Sequence, residues 1–306
     1  MTSIIAWLLE GDVSIQYLTK KYLLNARSDE LQLLRKRIAF EGWGRKFLDA
    51  RNENGHWGVD FYLPKWISTH YTLLDLRYLE IEPVDPIMET LHLILEQSKA
   101  PDGSITESKR NDSGDLCVNG MFLNYASFFG VPENDLKSIV DYILDNQMPD
   151  GAFNCAAGRT SSVHSSMHTT ISVLEGILEY VKAGYDYRVK ELGEVQKDAD
   201  EFLLMHQLYK SDKTGEIIDK KWRMLSFPSR WRYDILRALV YFVDTEYSYD
   251  PRMDDAVELL ISKRRKDSKW PVQAKHPGQV HFDMEKTGAP SRFNTLRALR
   301  VLEAYR

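Results

Sequence analysis

The stretch QMPDGAFNCAAGRTSSVHSSMHTTISVLEG, residues 147–176, contains every part of a structural unit that the rest of the chain repeats. Asp150-Gly151 is a turn dipeptide that ends one helix, and Phe153 can anchor the loop that follows. Ser165-Ser166 precedes an apolar run, which is an N-cap pattern and predicts the start of a second helix. The stretch is therefore interpreted as a helix end, a Gly/aromatic loop and a helix start.

The turn dipeptide of this unit recurs at a fixed interval along the chain. Asn54-Gly55, Asp102-Gly103 and Asp150-Gly151 are separated by 102 − 54 = 48 and 150 − 102 = 48 residues, and weaker copies follow at Thr214-Gly215 and Lys269-Trp270. Each copy lies between two helical patterns, and no stretch shows convincing strand alternation, so we expect an all-α fold. A two-helix repeat of about 50 residues is typical of stacked helical hairpins.

The two helices of each repeat differ in polarity. The second helices, such as ILRALVYFV at 235–243, are apolar over most of their circumference, whereas the first helices carry a wide charged face. This contrast predicts an α/α toroid with an inner and an outer ring of about six helix pairs. We expect one domain, 1–306, in which 1–27 form an N-terminal hairpin that packs on or closes the ring and 28–306 form five repeats. The second helices are predicted at 67–79, 116–129, 165–182, 230–245 and 291–304.

Composition excludes several classes of function. The net charge of −5 gives no general basic field for nucleic acid. The start MTSIIAWLLEGD has only a short apolar run and no basic region, so we expect neither a signal peptide nor a transmembrane segment. Cys117 and Cys155 form no secreted disulfide framework, which favours a cytoplasmic location. No partner protein is indicated.

The starts of the inner helices are the predicted binding region. If the second helices run parallel, their N-termini converge at one end of the toroid and favour an anionic group there. The candidate substrate residues at these starts are His70, Tyr71, Asn119, His164, Arg230, Trp231, Tyr233, Asp234, Arg292 and Asn294.

The repeat motif resembles that of the terpenoid cyclase and protein prenyltransferase toroid superfamily. Gln147-x-x-x-Gly151-x-Phe153 matches its QxxxGxW motif with Phe for Trp, and Gly55-x-Trp57 keeps the second half with Arg51 in the Gln position. WLLEGD (7–12), CVNGM (117–121), SSMHTT (165–170), FPSRWRYDILRAL (227–239) and PSRFNTLRALRVL (290–302) look like bacterial squalene-cyclase-like proteins of unassigned reaction. The resemblance implies a central cavity for a small apolar, isoprenoid-like molecule and transferase or lyase chemistry. The Asp-rich motifs of standard polyene cyclisation are absent.

The same resemblance implies a zinc site. Protein prenyltransferase β-subunits bind zinc through an Asp-x-Cys at one inner-helix start and a His-Thr at the next. Asp115, Cys117 and His168 stand at the matching positions here, and three such ligands leave a fourth position open for substrate. A buried apolar Cys117, a core His168 and an Asp115 that is only an N-cap remain as the alternative interpretation.

Two other classes of function stay open beside the isoprenoid enzyme. One is a carbohydrate-processing α/α-toroid enzyme, which would need facing carboxylates and aromatic platforms. Among the residues at the inner-helix starts, only Asp115 and Asp234 are acids. A closed, aromatic cavity with few carboxylates would argue against sugar as the substrate. The other is a non-enzymatic helical scaffold, which an open solenoid with a filled centre would favour.

Overall fold

The computed structural model describes residues 2–108, 111–155 and 163–306, and its regular structure is almost entirely helical. One short antiparallel pair of strands, β1 (Trp270–Pro271) and β2 (Pro290–Ser291), accompanies the helices. The α-helices are α1 (Thr2–Leu9), α2 (Val13–Leu23), α3 (Ser28–Ile38), α4 (Gly42–Asp49), α5 (Thr69–Tyr78), α6 (Asp85–Gln97), α7 (Leu116–Phe128), α8 (Glu133–Asp145), α9 (Met167–Lys182), α10 (Val189–Met205), α11 (Ile235–Asp244), α12 (Asp254–Ser262) and α13 (Arg292–Tyr305). In the described part of the chain, none of them has the length and apolar run that crossing a bilayer requires.

Burial separates an inner from an outer set of helices. On α8 only Leu136, Ile139, Val140 and Ile143 are buried, which is the i, i+3, i+4, i+7 stripe of a surface helix. On α7, by contrast, every residue from 118 to 127 is buried. The inner helices of the described chain are α2, α5, α7, α9, α11 and α13, and each follows an outer helix or helix pair.

The inner helices form a closed ring. Helix α5 packs on α7, α7 on α9, α11 on α13, and α13 on α2. Arg237 of α11 binds Glu175 of α9, and Lys21 and Tyr22 of α2 bind Glu80 directly after α5, which completes the circuit. The predicted all-α toroid of about six hairpin pairs is thus confirmed.

The repeat motif has a structural explanation. The Gln147 side-chain amide donates to the Gly151 carbonyl over 2.9 Å, and Arg51 makes the matching bond to Gly55 over 3.3 Å. The indole N–H of Trp57 donates to the carbonyl of Phe47 near the end of the preceding outer helix. The motif therefore closes a hairpin, and several residue types can serve at its positions.

The toroid has two different ends. The connections that lead into α5, α7, α9, α11 and α13 are long, and those that leave the inner helices are short; only Glu10, Gly11 and Asp12 join α1 to α2. We refer to these as the long-loop end and the short-loop end. Helix α11 begins at Ile235 instead of the predicted 230, because Asp234 caps it by accepting from the Arg237 backbone N–H at 3.0 Å.

Candidate functional site

A cavity of about 110 Å³ lies inside the ring, toward the short-loop end, and we call it the axial cavity. All six inner helices named above contribute to its wall, mostly through their middle and C-terminal parts. Its polar lining is formed by Tyr22, Arg77, Tyr78, Glu80, Asn124, Glu175, Glu179, Lys182, Ser229, Tyr241, Asp244, Arg297 and Arg300. Leu18, Leu178, Phe227, Val240, Phe293 and Leu296 supply the apolar lining.

Ion pairs between inner helices form part of the cavity wall. Arg237 binds both carboxylate oxygens of Glu175 at 2.8 and 2.7 Å. Arg77 of α5 binds Glu179 of α9, and Arg300 of α13 binds Asp244 of α11. Charged groups this close to a core are tolerated because each has an opposite charge and hydrogen bonds beside it. The cavity wall thus combines apolar side chains with the paired carboxylates of Glu179 and Asp244 and with Glu175.

Several polar groups in the lining of the axial cavity have no hydrogen-bond partner within the described residues. The Tyr78 hydroxyl and the Oδ1 atom of Asn124 are buried and accept or donate no hydrogen bond within the described chain. Arg297 lines the same cavity, and no hydrogen bond or ion pair joins it to another described residue. Buried polar groups almost always have partners, so the Tyr78 hydroxyl and Asn124 Oδ1 are exceptions that call for an explanation such as a bound water or a ligand.

Tyr78 and Glu175 are suited to opposite roles in proton transfer. Burial and the nearby Glu175 together raise the pKa of the Tyr78 hydroxyl to about 12, although Arg237, Arg297 and Arg77 oppose the rise, so the phenol stays protonated at neutral pH. Glu175 is held by the planar fork of Arg237, which fixes the carboxylate in one orientation. A protonated phenol and a carboxylate on facing helices can act as general acid and general base.

Tyr241 connects the cavity wall to a buried carboxyl group. Its hydroxyl donates to Asp200 of α10 over 2.8 Å, and burial raises the pKa of Asp200 from 3.8 to about 7. A carboxyl whose pKa is raised on folding stabilises the fold at low pH, and this contribution is lost as the pH rises. For Asp200 the loss falls between about pH 4 and pH 7.

Asp200→Asn is therefore expected to raise the free energy of unfolding by about 2 kcal/mol at about pH 8. The full difference in pKa would correspond to about 4 kcal/mol, but the new amide brings N–H donors that must find partners. Urea unfolding at about pH 5 and about pH 8 measures the effect, with the exposed Asp198→Asn on the same helix as control. A gain at about pH 5 as large as that at about pH 8 would contradict this assignment.

A second, smaller cavity lies at the long-loop end beneath residues 275–287. Asp75 and Arg230 form a buried ion pair in its wall, and Trp66 packs beside the guanidinium. Burial raises the pKa of Asp75 to about 6, although Arg230 opposes the rise. The volume of about 20 Å³ is enough for one water molecule and too small for a sugar ring.

The predicted zinc ligands are only partly brought together. Within the described chain, the ligand atoms of Asp115, Cys117 and Cys155 lie within 4.8 Å of one another, and His168 is outside this group. His168 Nδ1 instead accepts the Tyr233 backbone N–H over 2.7 Å. Burial lowers the pKa of His168 to about 4, so the ring is neutral. Zinc binding stays a prediction, and Cys155 is a residue that the sequence pattern did not single out.

Several of the predicted inner-helix residues hold the fold together. Asn119 accepts from the Ile105 N–H at 2.7 Å and donates to the Ile105 carbonyl at 3.0 Å. The Asn294 amide donates to the Pro271 carbonyl at 3.0 Å, and Arg292 stacks on Trp7. The Tyr233 hydroxyl donates to the Leu208 carbonyl at 2.6 Å. With Asp234 as the α11 cap, these residues join loops to helices.

The remaining candidates lie among aromatic rings or on the surface. His70 is fully buried, contacts the Tyr125 hydroxyl through Nδ1, and has its pKa lowered to about 3 by burial. Tyr71 bonds to Tyr62 at 3.2 Å, and Trp231 lies edge-on to His168. His164 is exposed. None of the predicted substrate residues lines the axial cavity.

The axial residues escaped prediction although they carry a signal in the sequence. Glu175 and Glu179 stand i, i+4 apart in the otherwise apolar ISVLEGILEYV, and Arg297 and Arg300 stand i, i+3 apart in LRALRVL. Charges on a helix that is buried all round must be paired or line a cavity. That criterion points to the middle and C-terminal parts of the inner helices, whereas the helix-dipole argument pointed to their starts.

Comparison with known proteins supports the toroid. No protein-family model and no curated protein matches the chain. A polysaccharide lyase has a similar structure, with a TM-score of 0.52 and 14% identity over 95% of this chain and 88% of that chain. A glycosyl hydrolase of family 88 from Bacteroides vulgatus gives a TM-score of 0.52 and 12% identity over 95% of this chain and 89% of that chain. At these identities the likeness concerns the fold alone.

The expected relationship to terpenoid cyclases, prenyltransferases and squalene-cyclase-like proteins is wrong, because the structural neighbours are carbohydrate-active proteins. The Gly/aromatic motif closes a helical hairpin, as Arg51 and Gln147 show, and so it accompanies the toroid whatever the reaction. The expected isoprenoid-binding function of that superfamily is corrected on the same ground. The axial cavity is lined by charged as well as apolar side chains.

Proposed function

We propose that this chain is a carbohydrate-processing enzyme that binds a sugar unit in the axial cavity. The observation that carries the proposal is the set of polar groups without protein partners, the Tyr78 hydroxyl, Asn124 Oδ1 and Arg297, in a cavity lined by paired carboxylates. A sugar presents hydroxyl groups that both donate and accept hydrogen bonds, and it matches such a lining. The apolar wall and the tyrosine rings suit the C–H faces of a sugar ring.

The proposed reaction site lies beside Glu175 of α9, whose carboxylate is held by Arg237. In the proposal, Glu175 is the base, Tyr78 is the acid that protonates the leaving oxygen, and Arg297 binds a substrate oxygen. A general base and a general acid are also the groups that an elimination reaction requires. Glu175 and Tyr78 are therefore compatible with either hydrolysis or lyase chemistry.

The test is turnover of a panel of neutral and acidic oligosaccharides and polysaccharides. Release of reducing ends without an ultraviolet-absorbing double bond identifies hydrolysis, and reducing ends with such a bond identify elimination. We expect Glu175→Gln to lower kcat/KM by at least about 100-fold, the usual contribution of a general base. The exposed Glu41→Gln removes a Glu–Arg pair on the surface and is expected to leave kcat/KM unchanged.

Tyr78→Phe separates function from folding. Because the Tyr78 hydroxyl has no partner in the described chain, its removal is expected not to lower the thermal unfolding temperature, whereas activity should fall. Full activity in both Glu175→Gln and Tyr78→Phe would reject the axial cavity as the site. Sugar binding without any turnover would favour a binding scaffold, and neither binding nor turnover across the panel would reject the carbohydrate proposal.

A further inference from the structure

The two cysteines, 38 residues apart in sequence, lie side by side at the long-loop end. Cys117 is the second residue of α7, and Cys155 lies in the connection that leads to α9. Their sulfur atoms are within 4.8 Å of each other, and no disulfide joins them. Both side chains are half-buried. This pair is independent of the axial cavity and of the proposed carbohydrate chemistry.

The hydrogen bonds around the pair distinguish the two sulfurs. The backbone N–H of Cys117 donates to Cys155 Sγ over 3.0 Å, from the first turn of α7. The Thr169 hydroxyl donates to the same sulfur over 3.3 Å, from the first turn of α9. Cys155 Sγ thus accepts hydrogen bonds from the N-terminal turns of two inner helices, and the Asp115 carboxylate lies within 4.8 Å of it. Cys117 Sγ receives neither of these two hydrogen bonds.

We propose that Cys117 and Cys155 form a reversible dithiol–disulfide site that responds to hydrogen peroxide. The Cys155 thiolate attacks one peroxide oxygen, the O–O bond breaks, and the departing hydroxide takes up a proton, which leaves a sulfenic acid and water. Cys117 then attacks the oxidised sulfur, the S–O bond breaks, and the departing hydroxide takes the Cys117 proton. In sum, two thiols and one peroxide give one disulfide and two waters. The new bond ties the start of α7 to the connection before α9.

Mass spectrometry of the reduced full-length protein after peroxide treatment tests this site. We expect an intact mass lower by two hydrogens, a cross-linked peptide pair containing Cys117 and Cys155, and full reversal by dithiothreitol. In Cys117→Ser the sulfenic acid on Cys155 should persist and react with dimedone. In Cys155→Ser the remaining Cys117 should oxidise several-fold more slowly. Thr169→Val should slow oxidation of Cys155, because it removes a donor to that sulfur.

Three results would overturn the proposal. One is equal oxidation rates of the two single-cysteine variants. Another is oxidation that yields only disulfides between different molecules. The third is stoichiometric zinc in protein purified without added metal and lost in Cys155→Ser, because sulfurs that hold a metal would not serve as a dithiol. None of these results depends on carbohydrate turnover, so the dithiol–disulfide proposal is tested separately from the proposed function.

Discussion

Arg230→Ala is expected to lower the free energy of unfolding by about 3–5 kcal/mol at about pH 8. Arg230 is the ion-pair partner of Asp75, the two side chains are 6% and 1% exposed, and Asp75 Oδ1 already lacks a hydrogen-bond partner. Without the guanidinium, a buried carboxylate would have no opposite charge beside it. The truncation also removes the contacts of the guanidinium with the rings of Trp66 and Tyr71.

The loss should be smaller at about pH 5, because the Asp75 carboxyl can then take up a proton. Burial already raises its pKa to about 6 with Arg230 present, and removal of that cation raises it further. Since the pKa is raised on folding, the stability that Asp75 contributes is present at low pH and lost as the pH rises. Urea unfolding followed by circular dichroism at both pH values measures the difference.

Two further variants make this prediction specific. Arg252→Ala removes ion pairs to Glu201 and Asp250 at a side chain that is 37% exposed, and it should cost no more than about 1 kcal/mol at either pH. Asp75→Asn combined with Arg230→Met should recover much of the lost stability, since it leaves no unpaired charge in the core. Equal losses at both pH values in Arg230→Ala would show that packing, and not charge, dominates.

The fold was predictable because it depends on local signals that repeat. The 48-residue spacing of the turn dipeptides and the apolar circumference of segments such as ILRALVYFV are properties of short stretches. Their structural counterparts are the positive φ angles of Gly55, Gly103 and Gly151 and the fully buried inner helices. Periodic patterns of this kind predict helices and their order well, which is why the sequence alone predicts the toroid.

The candidate site was less predictable because it depends on which residues face each other across the ring. Glu175 meets Arg237 and Glu179 meets Arg77, pairs that are 62 and 102 residues apart. No local pattern encodes those separations. The family resemblance predicts that Cys117 and His168 share a metal, whereas in the structure Cys155 lies beside Cys117 and His168 accepts the backbone N–H of Tyr233. The family resemblance predicts the geometry of the helical hairpins correctly, but it does not predict which residues lie together at the candidate site.

The contact between α7 and α9 leads to a second large effect, an expected loss of about 3 kcal/mol of unfolding free energy in Gly120→Ala. A Cβ atom at Gly120 would lie 2.6 Å from the Ser172 carbonyl oxygen and 2.7 Å from Val173 Cα. These are backbone atoms of α9 that cannot rotate away, so the two inner helices would have to move apart. This loss lies at the upper end of the range for overpacking for that reason.

Gly193→Ala is the matched control, and its change in unfolding free energy should have the opposite sign to that of Gly120→Ala. Gly193 lies on the outer helix α10, where an added Cβ atom would meet nothing within 4 Å. Alanine there should therefore raise the unfolding free energy by about 0.5–1 kcal/mol through helix propensity alone. Thermal and urea unfolding of both variants measure the contrast. A neutral or stabilising Gly120→Ala would mean that α7 and α9 are not in backbone contact.

The same substitution also tests the axial cavity. Asn124 of α7 donates to the Glu175 carbonyl of α9 over 3.0 Å, one turn along from the Gly120 contact. If α7 and α9 separate, that bond lengthens and the carboxylate of Glu175 shifts relative to Tyr78 on α5. Gly120→Ala protein that remains folded at low temperature should thus lose carbohydrate turnover, whereas Gly193→Ala should keep it. Full turnover in a folded Gly120→Ala variant would place the reacting groups away from the α7–α9 contact.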